Sequence, residues 1–362
     1  MNKRGGYINW TTRIIIIIVA LSFTLPAHAQ ESDTQSRPTA KENLAKFWNG
    51  VVNAYDFIYA FLNDCDSTYV DPHLYNMALT PTYSYNYEHY RFSSPDGNQS
   101  MSISPDGRNL LGLYICWGLF SVGYSFDLQN SHPQTDFKIS LYSARLGLDF
   151  FYRESNYGYK IRSLNGFTES DGTPLLNYNK NFDGIKVKQT GVNLYYIFNR
   201  KFSYPAAYSQ TTQQRRNAGS FILGMNYNKQ EFELDHTALD TKIKDQLAQE
   251  LRFDRACYQD LSINFGYSYN WVFAKNFLAN ISLTPAIGYK NTSFKIHDSK
   301  ELLSSINFDF ITRASIIYNN GKYYVGTSLV SNTYAYNKDR LSIINGFGTI
   351  KVICGFNFWR MK

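Results

Sequence analysis

The sequence predicts an all-β chain, a transmembrane antiparallel β-barrel of about ten strands (10–12) with an N-terminal amphipathic helix. Three observations carry this. Long segments alternate between large apolar and small or polar residues. Aromatics make up 17% of 362 residues, with 30 Tyr and 26 Phe, against only 18% charged residues. Mean hydropathy is −0.36, and only residues 14–25 form an extended apolar run. A bundle of membrane helices, each needing about 20 apolar residues, is therefore excluded. A Tyr-rich chain that is polar on average and built of alternating segments suits a barrel instead.

The N-terminus reads as a cleaved secretory signal peptide over residues 1–29. Lys3, Arg4 and Arg13 supply its basic part, Ile14 to Leu21 its apolar centre, and Ala27-His28-Ala29 small residues before the cut. Its removal takes three positive charges and no acid, so +7 becomes +4. That mild excess is no nucleic-acid signature. No Cys follows the cut, which argues against lipid acylation. Residues 30–40 are small, polar and Pro-containing, and read as a linker.

Over 41–63 the apolar period becomes helical: Leu44, Phe47, Trp48, Val51, Val52, Tyr55, Ile58, Tyr59 and Leu62 recur at three- and four-residue steps. Such an aromatic-rich face fits a helix at a membrane interface or docked under a barrel.

From about residue 74 the period is two. Odd positions from Leu261 to Trp271 are large and apolar, and even positions are small or polar. Phe277, Ala279, Ile281, Leu283, Pro285, Ile287 and Tyr289 repeat the pattern. A strand projects successive side chains to opposite faces, so each segment has one apolar and one wet face. Soluble sandwiches alternate too, but their strands average about five or six residues, whereas a membrane strand needs about 9–11. Segments are expected near 74–92, 110–128, 136–153, 185–199, 217–230, 259–273, 276–290, 304–318, 322–336 and 346–360. A further one at 98–104 would push the count toward 12. The last segment carries Val352, Cys354, Phe356 and Phe358 on one face with Trp359 near the terminus, an aromatic signal for the barrel assembly machinery. Short turns at 129–134, 274–275 and 319–321 are expected on the periplasmic side, and the long connections 154–184, 231–258 and 291–303 outside. Connection 200–216 breaks this rule, being long yet periplasmic.

From Asp66 onward the chain resembles the domain of unknown function 4421 group (DUF4421), outer-membrane proteins of diderm bacteria. The stretches that carry the likeness are Asp66 to Val70, Tyr90 to Ser94, Ser102 to Asp106, Val122 to Asp127 and Gly147 to Arg153. Tyr195 to Asn199 with Phe202 to Gln210 is the most specific, and Tyr269 to Ala274 with Thr284 to Gly288 agrees. The resemblance implies a barrel domain over 66–362 and an outer-membrane location, and no activity.

Arg145 with Asp149, and Asp309 with Arg313, share the polar faces of their segments. They are expected as a barrel-interior charge network that fills a closed lumen, with a selectivity cluster of a channel as the alternative. In the long loop, His236 with Glu231, Glu233, Asp235 and Asp240 resembles an acid–base or metal group but reads better as a solvated surface. Cys65, Cys116, Cys257 and Cys354 have no metal-ligand spacing; a Cys65–Cys257 disulfide is conceivable. No catalytic residue, metal ligand or cofactor site is assigned. Tyr204, Pro205, Tyr208, Arg215 and Arg216 mark 200–216 as a candidate periplasmic docking loop, with a plug or brace for the barrel end as its alternative. Tyr204 and Tyr208 are expected to pack on the helix and close the lower mouth. The expected partners are outer-membrane lipid, the assembly machinery and a periplasmic envelope protein. The functional expectation is a structural or interaction barrel, with a narrow channel for small or lipophilic solutes and a disfavoured outer-membrane hydrolase as alternatives.

Overall fold

The computed structural model describes residues 40–71, 75–117, 120–128, 135–156, 158–175, 178–296, 299–338 and 341–360. The expected signal peptide and nearly all of the linker lie outside these residues. Helix α1 (Ala40–Leu62) matches the helical period. A short strand β1 (Val70–Asp71) precedes β2 (Tyr75–Ser93), β3 (Ser100–Pro105), β4 (Arg108–Trp117), β5 (Phe120–Asp127) and β6 (Thr135–Tyr142). Then come β7 (Leu146–Ser155), β8 (Tyr159–Asn165), β9 (Lys180–Asn181), β10 (Ile185–Ile197), the short helix α2 (Tyr204–Tyr208) and β11 (Gln213–Gln214). The chain finishes with β12 (Ala218–Leu234), helix α3 (Thr241–Gln246), β13 (Arg255–Ala274), β14 (Phe277–Ile296), β15 (Ser299–Asn319), β16 (Tyr323–Lys338) and β17 (Leu341–Arg360).

Twelve strands form a closed antiparallel wall, in the order β2, β4, β5, β6, β7, β10, then β12 to β17, which pairs back to β2. Twelve replaces the expected ten. Segments 110–128 and 136–153 are each a hairpin, reversing between Trp117 and Phe120 and at Ser143–Arg145. Neither reversal is marked by Pro or Asn, so each pair of strands reads as one continuous segment. The two extra reversals place the connection between β5 and β6 at the rim opposite the expected one. Residues 291–303 are mostly strand rather than loop, since β14 and β15 stay paired from Phe277 and Tyr318 to Ile296 and Ser299. Segment 98–104 contains β3, which continues the line of β4 upward along β2.

Tyr75 pairs with Arg360 at what we call the lower rim, and Ser93 pairs with Ser342 near the upper. The β5–β6 hairpin is short. Above it β3 pairs directly with β8, so the wall closes over the hairpin into a narrower cuff.

Polarity reverses along single strands. On β12 the outward residues Phe221, Leu223, Met225 and Tyr227 give way to Lys229, Glu231 and Glu233. On its inner face Asn226, Asn228 and Gln230 give way to buried Phe232 and Leu234. β13 mirrors this, with Tyr258 buried above Asp260, Ser262 and Asn264. The lower wall is apolar outside and polar within. The cuff has the arrangement of a water-soluble barrel, with Tyr90, Phe92, Met101, Ile103, Phe232 and Phe253 among its core residues and the 235–254 connection as its lid. Fully burying one such side chain stabilises by about 1.5–3 kcal/mol.

Candidate functional site

The lower mouth is filled by the connection between β10 and β12. A loop taken out of water must satisfy every backbone polar group, and the inner row of small polar residues supplies the partners. Ser203 caps α2 by accepting from the Ala206 amide, and Pro205 occupies its first turn, where no amide donor is needed. Asn270 of β13 donates to the Ser203 carbonyl at 2.8 Å and to the Gln214 side chain at 2.9 Å. The Gln214 amide in turn donates to the Lys201 and Arg216 carbonyls at 2.7 and 2.9 Å. Asn319 of β15 donates to the Gln210 carbonyl at 3.0 Å, and Gln210 adopts a φ of 57°. Tyr208 donates to Asn280 of β14 at 2.5 Å.

Tyr204 and Tyr208 do not pack on α1. Their rings meet at a tilt in the lumen, centres 4.6 Å apart, and Tyr204 also meets Tyr195 and Tyr142. Their hydroxyl and ring contacts lie with the inner wall, Tyr208 with Asn280 and Tyr204 with Tyr195, and these hold them in the lumen. Helix α1 docks outside instead. Phe61 stacks on outward-facing Tyr196, the Ala144 amide donates to the Leu62 carbonyl at 2.8 Å, and Phe57 stays 75% exposed.

The four expected network residues divide three ways. Asp149 and Arg313 meet across the lumen, Nη2 to Oδ2 3.1 Å. Asp149 also accepts from Ser140 and Tyr142 at 2.7 Å each. The Arg313 guanidinium lies 5.6 and 5.8 Å from the Tyr195 and Tyr204 ring centres, so it ties the wall to the plug. Arg145 is not inside. It sits in the turn before β7 and reaches outward to the Phe198 carbonyl at 2.8 Å, the Tyr196 ring and Asp64. Alternation places a residue on a face only while the strand lasts, and Arg145 precedes it. Asp309 lies higher, 4.0 Å from Lys290.

The candidate docking loop divides as well. Tyr204 and Pro205 are buried, whereas Arg215 and Arg216 are exposed on the lower rim. Arg215 pairs with Asp71 at 2.5 Å, and the Arg216 and Lys201 side chains lie over the Tyr69 ring. The β1–β11 ladder holds these residues in place.

Between the plug and the cuff core lies a cavity of about 200 Å³. Thr80, Ser84, Asn86, Asn193 and Asn226 contribute to its neutral polar lining. Among the described residues four cations, Lys138, Arg153, Arg313 and Lys351, line it with the carboxylate of Asp149. Arg153 binds Glu88 at 2.9 Å, which also takes Arg108 at 3.3 Å and closes the cavity toward the cuff. Lys138, Arg153 and Lys351 are absent from the sequence expectation, although Lys351 lies one residue from outward Val352 and so falls inward by parity. The merged hairpin hid Lys138.

In the lid, His236 packs edge-on to Phe253, and burial holds its imidazole below the usual histidine range, partly offset by Asp254. Glu231 and Glu233 face outward with Lys229 and Arg255 rather than toward His236. All four cysteines are free; Cys65 lies at the lower rim and Cys257 in the cuff, too far apart for a disulfide. Burial raises the Cys65 thiol above its ordinary value.

Several solved structures are similar to the chain at low identity. The outer membrane protease OmpT from Escherichia coli is 7% identical with a TM-score of 0.39, covering 78% of this chain and 97% of that one. The toluene transporter TodX of P. putida (7%, TM-score 0.28) covers 79% and 91%. The translocator domain of the autotransporter NalP from Neisseria meningitidis (7%, TM-score 0.29) covers 88% and 97%. No curated protein matches the chain. The model of the domain of unknown function DUF4421 matches residues 64–358, the whole barrel with its plug and cuff, and the chain belongs to that family.

Proposed function

We propose that this chain is a closed outer-membrane β-barrel that serves as an interaction scaffold, docking an acidic envelope partner at its lower, periplasmic rim. The apolar outer belt supports the membrane setting, because exposed Phe, Tyr, Leu and Ile side chains at this density need lipid as solvent. The observation that carries the docking reading is the division of one connection. Its aromatic half fills the mouth, and its basic half stands outward on a fixed ladder, with Arg215 and Arg216 exposed. Arg215 keeps 63% of its side-chain surface exposed while paired with Asp71, and Arg216 stays exposed over Tyr69, so both still present positive charge to a partner. The sealed mouth weighs against the narrow channel.

Photo-crosslinking from position 216 in intact cells tests this. A discrete adduct that disappears in Arg215→Glu supports docking; no adduct, or one indifferent to that charge reversal, sinks it. Purified protein in planar bilayers is expected to show no single-channel steps.

A further inference from the structure

The connection between β10 and β12 is fastened largely at one residue. Gln214 is buried on β11, immediately before exposed Arg215. Its side-chain oxygen accepts from the Ser203 amide at 2.8 Å and from Asn270 of the wall at 2.9 Å. Its side-chain nitrogen donates to the carbonyls of Lys201, Arg216 and Tyr69. One side chain therefore joins the cap of α2, the barrel wall and the outward ladder. The Thr212 and Ser203 hydroxyls meet at 2.6 Å and add to the fastening. Behind α2 lies the cavity, with Tyr208, Ser209 and Gln210 in its floor.

The outward half of the connection is held less firmly. The β1–β11 ladder is two residue pairs long, Val70 with Gln214 and Asp71 with Gln213. The Arg215–Asp71 ion pair lies at the surface, where such pairs are weak. Arg216 and Lys201 are exposed too, and both share the Tyr69 ring. In the closed state Asp71 and Tyr69 thus occupy the three cations that an acidic partner would take. A partner that draws β11 off β1 meets those cations freed, so it binds the released connection more tightly than the docked one. Such a difference in affinity is what a ligand needs to shift a two-state equilibrium.

We infer that the plug is a gate on the cavity, opened from the periplasmic side by the partner that takes Arg215, Arg216 and Lys201. Withdrawal of β11 carries Gln214 away from the Ser203 amide and Asn270, and α2 leaves the mouth with it. The cuff core above stays packed around Tyr90, Phe92 and Phe232. The product is a chamber open to the periplasm and not a channel. The inference rests on the docking reading above and adds what docking does.

Cys116 lines the cavity and serves as the reporter of access. The test uses the full barrel in neutral detergent, carrying Cys65→Ser, Cys257→Ser and Cys354→Ser, with a small water-soluble methanethiosulfonate as label. Mass spectrometry of the Cys116 peptide reads the rate, and octaglutamate stands in for the partner. Saturating octaglutamate is expected to raise Cys116 labelling at least tenfold, and Gln214→Ala to raise it as much without the peptide. By reciprocity Gln214→Ala binds octaglutamate more tightly in calorimetry. Asp71→Cys with Gln213→Cys, oxidised across the ladder, is expected to bind the peptide less tightly and to protect Cys116 until reduced. Peptide that fails to bind, or binds Arg215→Glu equally well, sinks docking and gate together. Peptide that binds without changing Cys116 labelling sinks the gate alone, as does labelling that ignores the ladder disulfide. Heat-modifiable gel mobility reports that each variant is folded; should Gln214→Ala not fold, the peptide and the disulfide still decide.

Discussion

Arg313 on β15 reaches Asp149 on β7 from five strands away around the wall, with 3.1 Å between Nη2 and Oδ2. The pair bridges the lumen at the level where the plug ends. Removing one partner of a buried pair typically costs about 3–5 kcal/mol, whereas removing both costs less than the sum. Asp149→Asn and Arg313→Met are each expected to lower the urea unfolding midpoint of the detergent-solubilised barrel, and the double variant to recover part of the loss. Additive losses would show that the two side chains act separately.

Gly147 accommodates the ring of Tyr195 on the neighbouring strand. A Cβ at Gly147 would lie 2.0 Å from Tyr195 Cζ, and Tyr195 in turn supports Tyr204 and Arg313. Gly147→Ala is therefore expected to displace the ring and destabilise by about 1–3 kcal/mol. Current noise in planar bilayers should rise as the plug loosens; a quiet barrel with unchanged thermal midpoint refutes the linkage.

Asn270 holds the plug to β13 through two donated hydrogen bonds. Asn270→Ala leaves the Ser203 carbonyl and the Gln214 side chain short of a donor, at a cost of about 1–3 kcal/mol. Trypsin is expected to cut at Arg215 or Arg216 faster in this variant, with cleavage in the cuff lid unchanged. Equal rates at both sites would argue that the plug is held by its rings alone.

The His236 imidazole is held below the ordinary histidine value, chiefly by burial. The unfolded state then takes up a proton first. Lid stability is fully present above about pH 6.5, falls as pH drops through that value, and levels off below the depressed native value. Protection factors for hydrogen exchange at Leu239 and Ile243, corrected for the intrinsic pH dependence of amide exchange, should fall from pH 7.5 to 5.5, and His236→Gln should flatten that dependence. A variant that keeps the full pH response moves the cause elsewhere.

Chain orientation is open to chemical labelling. Thr237 in the lid and Arg215 on the lower rim are both exposed. In intact cells a membrane-impermeant maleimide is expected to label Thr237→Cys and not Arg215→Cys above the background of the native thiols. The reverse pattern would turn the molecule over and remove the periplasmic docking surface.

Alternation made most of the wall legible, because each residue from Leu261 to Trp271 and from Phe277 to Tyr289 lies on the face its parity assigns. Parity says nothing about where a chain reverses when no Pro or Asn marks the turn, and so Trp117 to Phe120 and Ser143 to Arg145 hid two strands. Parity also identifies an inward residue without its cross-lumen neighbour. Asp149 and Arg313 were recognisable as inward, but their meeting depends on barrel circumference and stagger, which involve every strand at once. The plug carried a local signal, since Ser203-Tyr204-Pro205 is a helix start, yet its inward fold depends on Asn270, Asn280 and Asn319, contributed by strands far along the chain.

The reversal of polarity along β12 and β13 gives the molecule its own waterline. From Leu261 to Phe273 the outward face of β13 is apolar over twelve steps. At about 3.3 Å per residue and a tilt of about 40°, these span roughly 30 Å, the depth of a bilayer's hydrocarbon. Immediately above come Gln259 and Arg255, level in the strand ladder with Lys229 and Glu233. Sinking deeper would submerge that charged ring, and rising would strand the aromatics in water, so the depth of immersion is written into the strands themselves. The cuff then stands clear of the lipid as a turret, and its ionic flank and the 235–254 lid form the water-facing end of the molecule on that side.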